Sequence, residues 1–293
     1  MMRHARAAIR NACFSDGARL FGWRFTFDYL RIALRVARAW GQTAPGEMQL
    51  LGFRIPYPNQ SHAFALLHEV FVHTPYRMTK NTSRPRIIDC GANIGCSLVF
   101  FKACAPDASV LAIEALPSTF ACLERVVAAN RFTHVELVNA ALAGHDGTLT
   151  LYSAPGDVGG ITTSTNAAWG GSVAQTVTAR RLSPFIDGPI DFIKLDVEGA
   201  EYDVIDDLAA TGRLALVREM AIECHDVGRD RGCATLVAQL ERSGMRVVVT
   251  DDVRVGTSLV RAERPGGADP DQRRRGVQSA ANSVPSTSRT TSS

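Results

Sequence analysis

No run in this chain of 293 residues approaches the roughly 20 apolar residues that a bilayer span needs, so no membrane-crossing helix is expected. The seven cysteines, at 13, 90, 96, 104, 122, 224 and 233, include no C-x-x-C pair, and several fall in expected buried elements. They read as reduced intracellular thiols and not as a disulfide framework. Residues 1 to 22 carry arginines throughout where a signal peptide has an apolar core, and the expected location is cytoplasmic. A net charge of +3 is too small to indicate nucleic acid, and no basic run interleaved with aromatics offers a platform for single strands. A G-x-x-x-x-G-K-[ST] phosphate loop is also missing.

What the chain does have is centred on Arg86 to Ser97, which reads as a buried strand breaking into a glycine turn and then a helix. Ile87 and Ile88 are β-branched and apolar, as befits a strand inside a parallel sheet, and Asp89 sits where that strand ends. Gly91 and Gly95 bracket the turn. Residues without Cβ allow positive φ and close approach of a ligand to the backbone, so the pair suggests a small-molecule cradle at a helix N-terminus, with Asn93 placed to cap the helix. The third glycine of a G-x-G-x-x-G dinucleotide fingerprint is absent.

At 46% hydrophobic and 21% charged residues, the chain can bury a full core, and the economical organisation is one α/β domain with extensions. The expected boundaries are a basic helical extension over 1–49, the main domain over 50–262 and a disordered tail over 263–293. Residues 1 to 40 hold eight arginines, no lysine and only Asp16 and Asp28 as acids. From Arg24 to Trp40, the residues Arg24, Arg31, Arg35 and Arg38 recur at helical spacing, with Phe27, Leu30, Leu34 and Ala37 on another face. Such a helix suits an anionic membrane surface or a partner enzyme, or it packs on the main domain with its arginines solvated. Leu50 to Pro58 and a helical stretch over His62 to Val72 form a flank. Its histidines 62, 68 and 73 lack metal-ligand spacing.

After Arg86 the alternation is regular: strands over 86–91, 109–114, 135–142, 190–197 and 218–224, with helices over 94–104, 117–130, 200–210 and 233–243. With closing strands near 245–250 and 257–262, this predicts a doubly wound, mostly parallel seven-stranded sheet. Further strands near 147–153 and 174–180 flank a Gly/Ser/Thr-rich loop, Pro155 to Ser172, expected to shape acceptor choice through Thr162, Thr163, Ser164 and Asn166.

Glu114 ends the second strand, where doubly wound folds place an acid on the ribose hydroxyls of a nucleoside. With an incomplete phosphate fingerprint, a nucleoside lacking pyrophosphate fits best, and S-adenosylmethionine is one. The second constellation is Ile193-Lys194-Leu195-Asp196-Val197-Glu198-Gly199-Ala200-Glu201. Strand alternation puts Lys194, Asp196 and Glu198 on one face, and likewise Glu219, Glu223 and His225 on the following strand. Charges on an internal strand must be paired or face a wet cleft, so either a buried ion network or a catalytic site is implied.

The Asp-Cys-Gly-Ala-Asn-Ile-Gly run, Glu114 and the Lys194 to Glu201 segment together resemble the FkbM-type family of class I S-adenosylmethionine-dependent methyltransferases over about residues 50 to 262. The resemblance implies methyl transfer to a hydroxyl of a sugar, glycolipid or polyketide-like acceptor. The cofactor is expected over Asp89, Gly91, Asn93 and Gly95 with its ribose on Glu114 and its adenine near Asn139 and Ala140. Two other functions stay open: a nicotinamide-dependent oxidoreductase, and a catalytically silent module docking a glycosyltransferase or membrane through residues 1–40. For the base, Asp196, Glu198, Glu223 and His225 are available. The ordinary imidazole value favours His225, with Asp196 and Glu198 orienting cofactor or acceptor. Asp196, Glu223 and His225 also make a conceivable divalent site, although no metal is expected.

Overall fold

The computed structural model describes residues 10, 12–39, 44–79, 82–155, 170–225, 232–252 and 257–265. Most of the expected acceptor loop, including Thr162, Thr163, Ser164 and Asn166, lies outside the described residues, as do residues 1–9 and most of the C-terminal tail.

The chain opens with α1 (Asp16–Arg38), the hairpin β1 (Gly46–Leu50) and β2 (Phe53–Tyr57), and α2 (Gln60–His68), which runs into a π-helical turn over Glu69–His73. There follow β3 (Arg86–Cys90), α3 (Cys96–Cys104), β4 (Ser109–Glu114), α4 (Pro117–Asn130) and β5 (Val135–Asn139). Three strands come next, β6 (Ala141–Leu142), β7 (Gly147–Ser153) and β8 (Val173–Arg180). The last part holds β9 (Ile190–Leu195), α5 (Glu201–Ala210), β10 (Val217–His225), α6 (Cys233–Arg242), β11 (Arg246–Asp252) and β12 (Thr257–Glu263).

The main sheet has seven strands in the order β11-β12-β10-β9-β3-β4-β5, with only β12 antiparallel to its neighbours. From β3 the chain winds one way through β4 and β5, then returns to lay β9 and β10 on the other side. The crevice outside the carboxyl ends of β3 and β9 is therefore the switch point where such folds bind ligands. Both faces of the sheet are buried, which accounts for the unbroken apolar runs in β3 and β9. Ile87 and Phe192 enter a core with α1, α2, α3 and α4, while Ile88 and Ile193 enter a second core with α5 and α6. Successive residues on a strand thus feed opposite layers, as their alternation requires.

One feature departs from expectation and two add to it. The strand expected over 135–142 breaks at Ala140, because the chain leaves the main sheet there and β6 pairs instead with β8 in a separate sheet of order β6-β8-β7. The hairpin of β1 and β2 runs across the expected boundary at residue 49. In α1 the packed face is Phe25, Tyr29, Ile32, Ala33 and Val36, not the Phe27, Leu30, Leu34 and Ala37 row, of which Phe27 and Leu34 are exposed. Phe25 stacks on Phe71 at 6.5 Å and Tyr29 meets His68 Nδ1 at 2.6 Å, so α1 shares the core of the main sheet. His68 thereby takes a packing role.

Candidate functional site

At the switch point a cleft is lined by Gly91, Asn93, Glu114, Ala140, Asp196 and Glu198, with Ile113, Leu116, Leu142, Leu149 and Leu151 as its apolar wall. The glycine turn and the Lys194 to Glu201 segment, far apart in sequence, meet here.

Gly91 lies at φ +79°, and a Cβ there would come within 1.8 Å of the Asp196 carbonyl oxygen. The end of β9, whose Asp196 N–H donates to the Cys90 carbonyl at 3.2 Å, makes a close approach that by itself demands glycine here. Gly95, at φ +96°, leaves room for Leu123, which a Cβ would meet at 2.9 Å, and it is the N-cap residue of α3. Asn93 therefore does not cap α3. It takes a left-handed conformation at φ 49°, and its Oδ1 accepts from Ile94 N–H at 2.7 Å within the turn.

Glu114 ends β4 with its two oxygens tied to the turn and the strand end, accepting from Asn93 N–H at 3.0 Å and Leu116 N–H at 2.9 Å. Burial pushes its carboxyl up to about 7 against those two bonds. Asn139, its Cα partner across β5, donates to the Glu114 and Ala115 carbonyls at 2.9 and 3.1 Å, while the Ala140 N–H donates to the Glu114 carbonyl at 3.1 Å. Asn139 thus braces the strand end, and Ala140 lines the cleft.

Asp89 is fully buried beneath the turn, where Oδ2 accepts from Ser97 Oγ at 2.6 Å and Oδ1 has no hydrogen-bond partner. Register places it opposite Lys194, whose Nζ lies 3.7 Å from Oδ1. Burial raises the Asp89 carboxyl and outweighs the lysine. Lys194 Nζ also donates to the Gly91 carbonyl at 2.7 Å, pairs with Asp196 at 3.1 Å and lies 5.2 Å from the centre of the Tyr76 ring. Burial alone would lower its value, but Asp196 and Asp89 hold it above the ordinary lysine range. This lysine is the bolt between the two halves of the crevice.

Beyond Leu195 the strand gives way to a turn, with Glu198 at φ 54° and Gly199 at φ 103°. The carboxylate of Glu201, fully buried in the first turn of α5, gathers that turn by accepting from Val197 N–H and Gly199 N–H, each at 3.1 Å. It also holds His225 Nδ1 at 3.0 Å, leaving Nε2 3.5 Å from Glu198 and 3.9 Å from Glu223. Burial by itself would lower the imidazole value, yet Glu201, Asp196 and Glu198 push it up to about 10. The sequence expectation for His225 assumed an ordinary imidazole. Among these carboxylates the ring instead keeps its proton at neutral pH. Glu198 is raised by burial and by Asp196, and Glu223 by Asp196 and then burial, because several carboxylates share one partly dry space.

Ligand atoms of Asp196, Glu198 and His225 lie within 4.8 Å of one another, close enough to share a divalent ion. Glu219, grouped with these residues by alternation, sits at the far end of β10, bonded to Arg261 and to Thr79 N–H at 2.9 Å, and takes no part in the cleft. The residue that sequence reasoning missed is Glu201. Its signal is a position two residues past a glycine at a helix start, where a carboxylate reaches back to the backbone N–H groups of the preceding turn.

The profile of the methyltransferase FkbM domain matches residues 89–249. Methyltransferase sdnD of Sordaria araneosa is 30% identical over 169 residues, 47% of this chain and 65% of that protein, so the chain spans just under two thirds of that relative. Methyltransferase 1 of Beauveria bassiana is 28% identical over 226 residues, 69% of this chain and 84% of that protein. Among solved structures, M. jannaschii TYW2 in complex with AdoMet is 14% identical, with a TM-score of 0.42 over 77% of this chain and 89% of that one. The N-terminal domain of EvdMO1 with SAH bound is 15% identical, with a TM-score of 0.37 over 61% of this chain and 74% of that one.

Proposed function

Because the chain belongs to the FkbM family of S-adenosylmethionine-dependent methyltransferases, we propose that it is an O-methyltransferase acting on a hydroxyl of a sugar, glycolipid or polyketide-like acceptor. Family membership removes the nicotinamide oxidoreductase from contention. The acceptor class rests on the family resemblance.

The cleft fits the cofactor in two respects. Glu114 lines it with a carboxylate at the position where ribose hydroxyls are held, beside the small Ala140 and a leucine-rich wall suited to adenine. Around the turn, Asp89, Asp196, Glu198, Glu201 and Glu223 crowd about Lys194 and His225, and a cationic guest would favour the ionised form of the carboxyls that crowding has raised. Once bound, S-adenosylmethionine supplies an electrophilic methyl group on a sulfonium.

The protein's own task is to take the hydroxyl proton. The observation that carries the assignment is that Glu198 lines the cleft with its carboxyl raised toward neutrality by burial and Asp196, the condition under which a carboxylate is an effective base. His225, protonated and fixed by Glu201, directs Nε2 toward Glu198 and Glu223 and steadies the negative charge there. The roles expected from sequence are therefore exchanged: Glu198 accepts the proton, His225 positions it, and Asp196 holds Lys194.

Calorimetric titration with S-adenosylmethionine, followed by transfer of labelled methyl to a panel of hydroxylated acceptors, tests this. Saturable binding, an alkali-stable methyl ether and a kcat for Glu198→Gln reduced by about 10²–10⁴ with cofactor affinity kept are the expected results. Unchanged turnover in Glu198→Gln removes the base. Cofactor binding without transfer across the panel favours the silent module.

A further inference from the structure

The outward side of α1 is built like a surface meant to be covered. Its inward face, Phe25, Tyr29, Ile32, Ala33 and Val36, is already spent on the core. At about 100° per residue, Trp23, Phe27 and Leu34 fall within about 40° of one another on the opposite side. They are 81%, 62% and 50% exposed, and Phe14, just before the helix, is 74% exposed. A helix of a water-facing domain normally carries one apolar stripe, whereas this one carries two. At Gly22, φ 71° and ψ −159° break the helix just before Trp23, so the outer row begins at the break.

The charge beside that row indicates what covers it. Arg24, Arg31, Arg35 and Arg38 are exposed along one flank, and over residues 10 and 12–39 six arginines face two aspartates. Both acids are engaged: Asp16 pairs with Arg19 at 3.0 Å, and Asp28 accepts from Leu51 N–H at 2.9 Å and pairs with Arg31 at 3.5 Å. The helix is too polar and too short of apolar length to enter a bilayer, and among the described residues no helix can cross one. Aromatic and leucine side chains bordered by arginines instead match the boundary between acyl chains and headgroups. There the rings sit at the interface and the guanidinium groups reach lipid phosphates.

We propose that α1 docks the protein flat on an anionic membrane surface, with Trp23, Phe27 and Leu34 entering the interface and Arg24, Arg31, Arg35 and Arg38 on the headgroup phosphates. This surface lies on the core's outer flank and is independent of the assignment of the cleft, so each stands or falls alone.

Co-sedimentation of the full chain with vesicles provides the test. Phosphatidylcholine vesicles containing phosphatidylglycerol should pull the protein down, vesicles of phosphatidylcholine alone should not, and added salt should weaken the binding. The triple variant Trp23→Ala, Phe27→Ala, Leu34→Ser, checked for native circular dichroism, should lose pelleting, and each Arg→Glu change along the flank should weaken it by at least roughly fivefold. Because Arg31 and Arg35 also reach the Gln49 and Glu47 carbonyls at 3.5 and 3.4 Å, each Arg→Glu variant is likewise checked for native circular dichroism, and Arg24→Glu and Arg38→Glu decide where those two do not fold. No pelleting by anionic vesicles at low salt overturns the proposal, as does equal pelleting of the triple variant. Size-exclusion showing a dimer that the triple variant dissociates, with no vesicle binding, assigns the face to a second copy instead.

Discussion

Replacing Glu201 by Gln keeps the oxygen that accepts from the Val197 and Gly199 N–H groups, and removes the charge held against His225 together with the second oxygen on Gly199 N–H at 3.1 Å. That imidazole is moved from an ordinary 6.5 to about 10, which at about 1.36 kcal/mol per tenfold change in proton affinity sets a ceiling of about 5 kcal/mol. Glu201 is foremost among the groups raising it, and breaking a buried pair typically costs about 3–5 kcal/mol. The folded protein binds this proton more tightly than the unfolded chain does. Its stabilisation is therefore complete below pH 6.5 and disappears as pH rises through about 10. Urea unfolding at a series of pH values should show Glu201→Gln about 3–5 kcal/mol less stable than the parent near pH 6. The parent should lose stability more steeply between pH 6.5 and about 10, so that the two curves converge. Equal stability near pH 6, or parallel alkaline slopes, would refute the assignment of His225's proton to Glu201.

Cofactor affinity should weaken as pH falls through about 7, because Glu114 protonates there and gives up one acceptor oxygen. Glu114→Gln should abolish that pH dependence and cost roughly 10- to 100-fold in Kd by calorimetry, the worth of a charged hydrogen bond. Gly91→Ala forces a Cβ against the Asp196 carbonyl at 1.8 Å from a left-handed conformation, and thermal melting should show a loss of about 2–5 kcal/mol together with weakened cofactor binding. Exhaustive chelation should leave the rate unchanged if Glu198 is free to act as base. A loss restored by Mg²⁺ or Mn²⁺ would show that Asp196, Glu198 and His225 hold an ion instead.

The alternation of strands and helices was readable because β3 and β9 are buried on both faces and so carry unbroken apolar runs, and because Gly95 and Pro117 mark helix starts. Less legible were features decided by contacts distant in sequence. The break at Ala140 depends on β8, whose distant Ala179 and Arg180 pair with Ala141 and Leu142. The packed face of α1 was not legible because the helix has two apolar sides and periodicity cannot say which meets Phe71. In the site, residue types and alternation located Lys194, Asp196, Glu198, Glu223 and His225. The burial of Glu201 behind the imidazole, which decides where the proton rests, appears only in three dimensions.

The crossing of two chain segments is enough by itself to demand glycine at 91. A descendant of this protein that abandoned catalysis would still need glycine there merely to fold. Glu114, whose oxygens hold the Asn93 and Leu116 N–H groups, would be kept for the same reason, whereas Glu198, if its proposed role as base is its main one, would be released from selection and free to drift. Survival of the glycine turn is therefore a poor marker of a working enzyme, and on the proposed roles Glu198 is the better one for telling active members from silent ones.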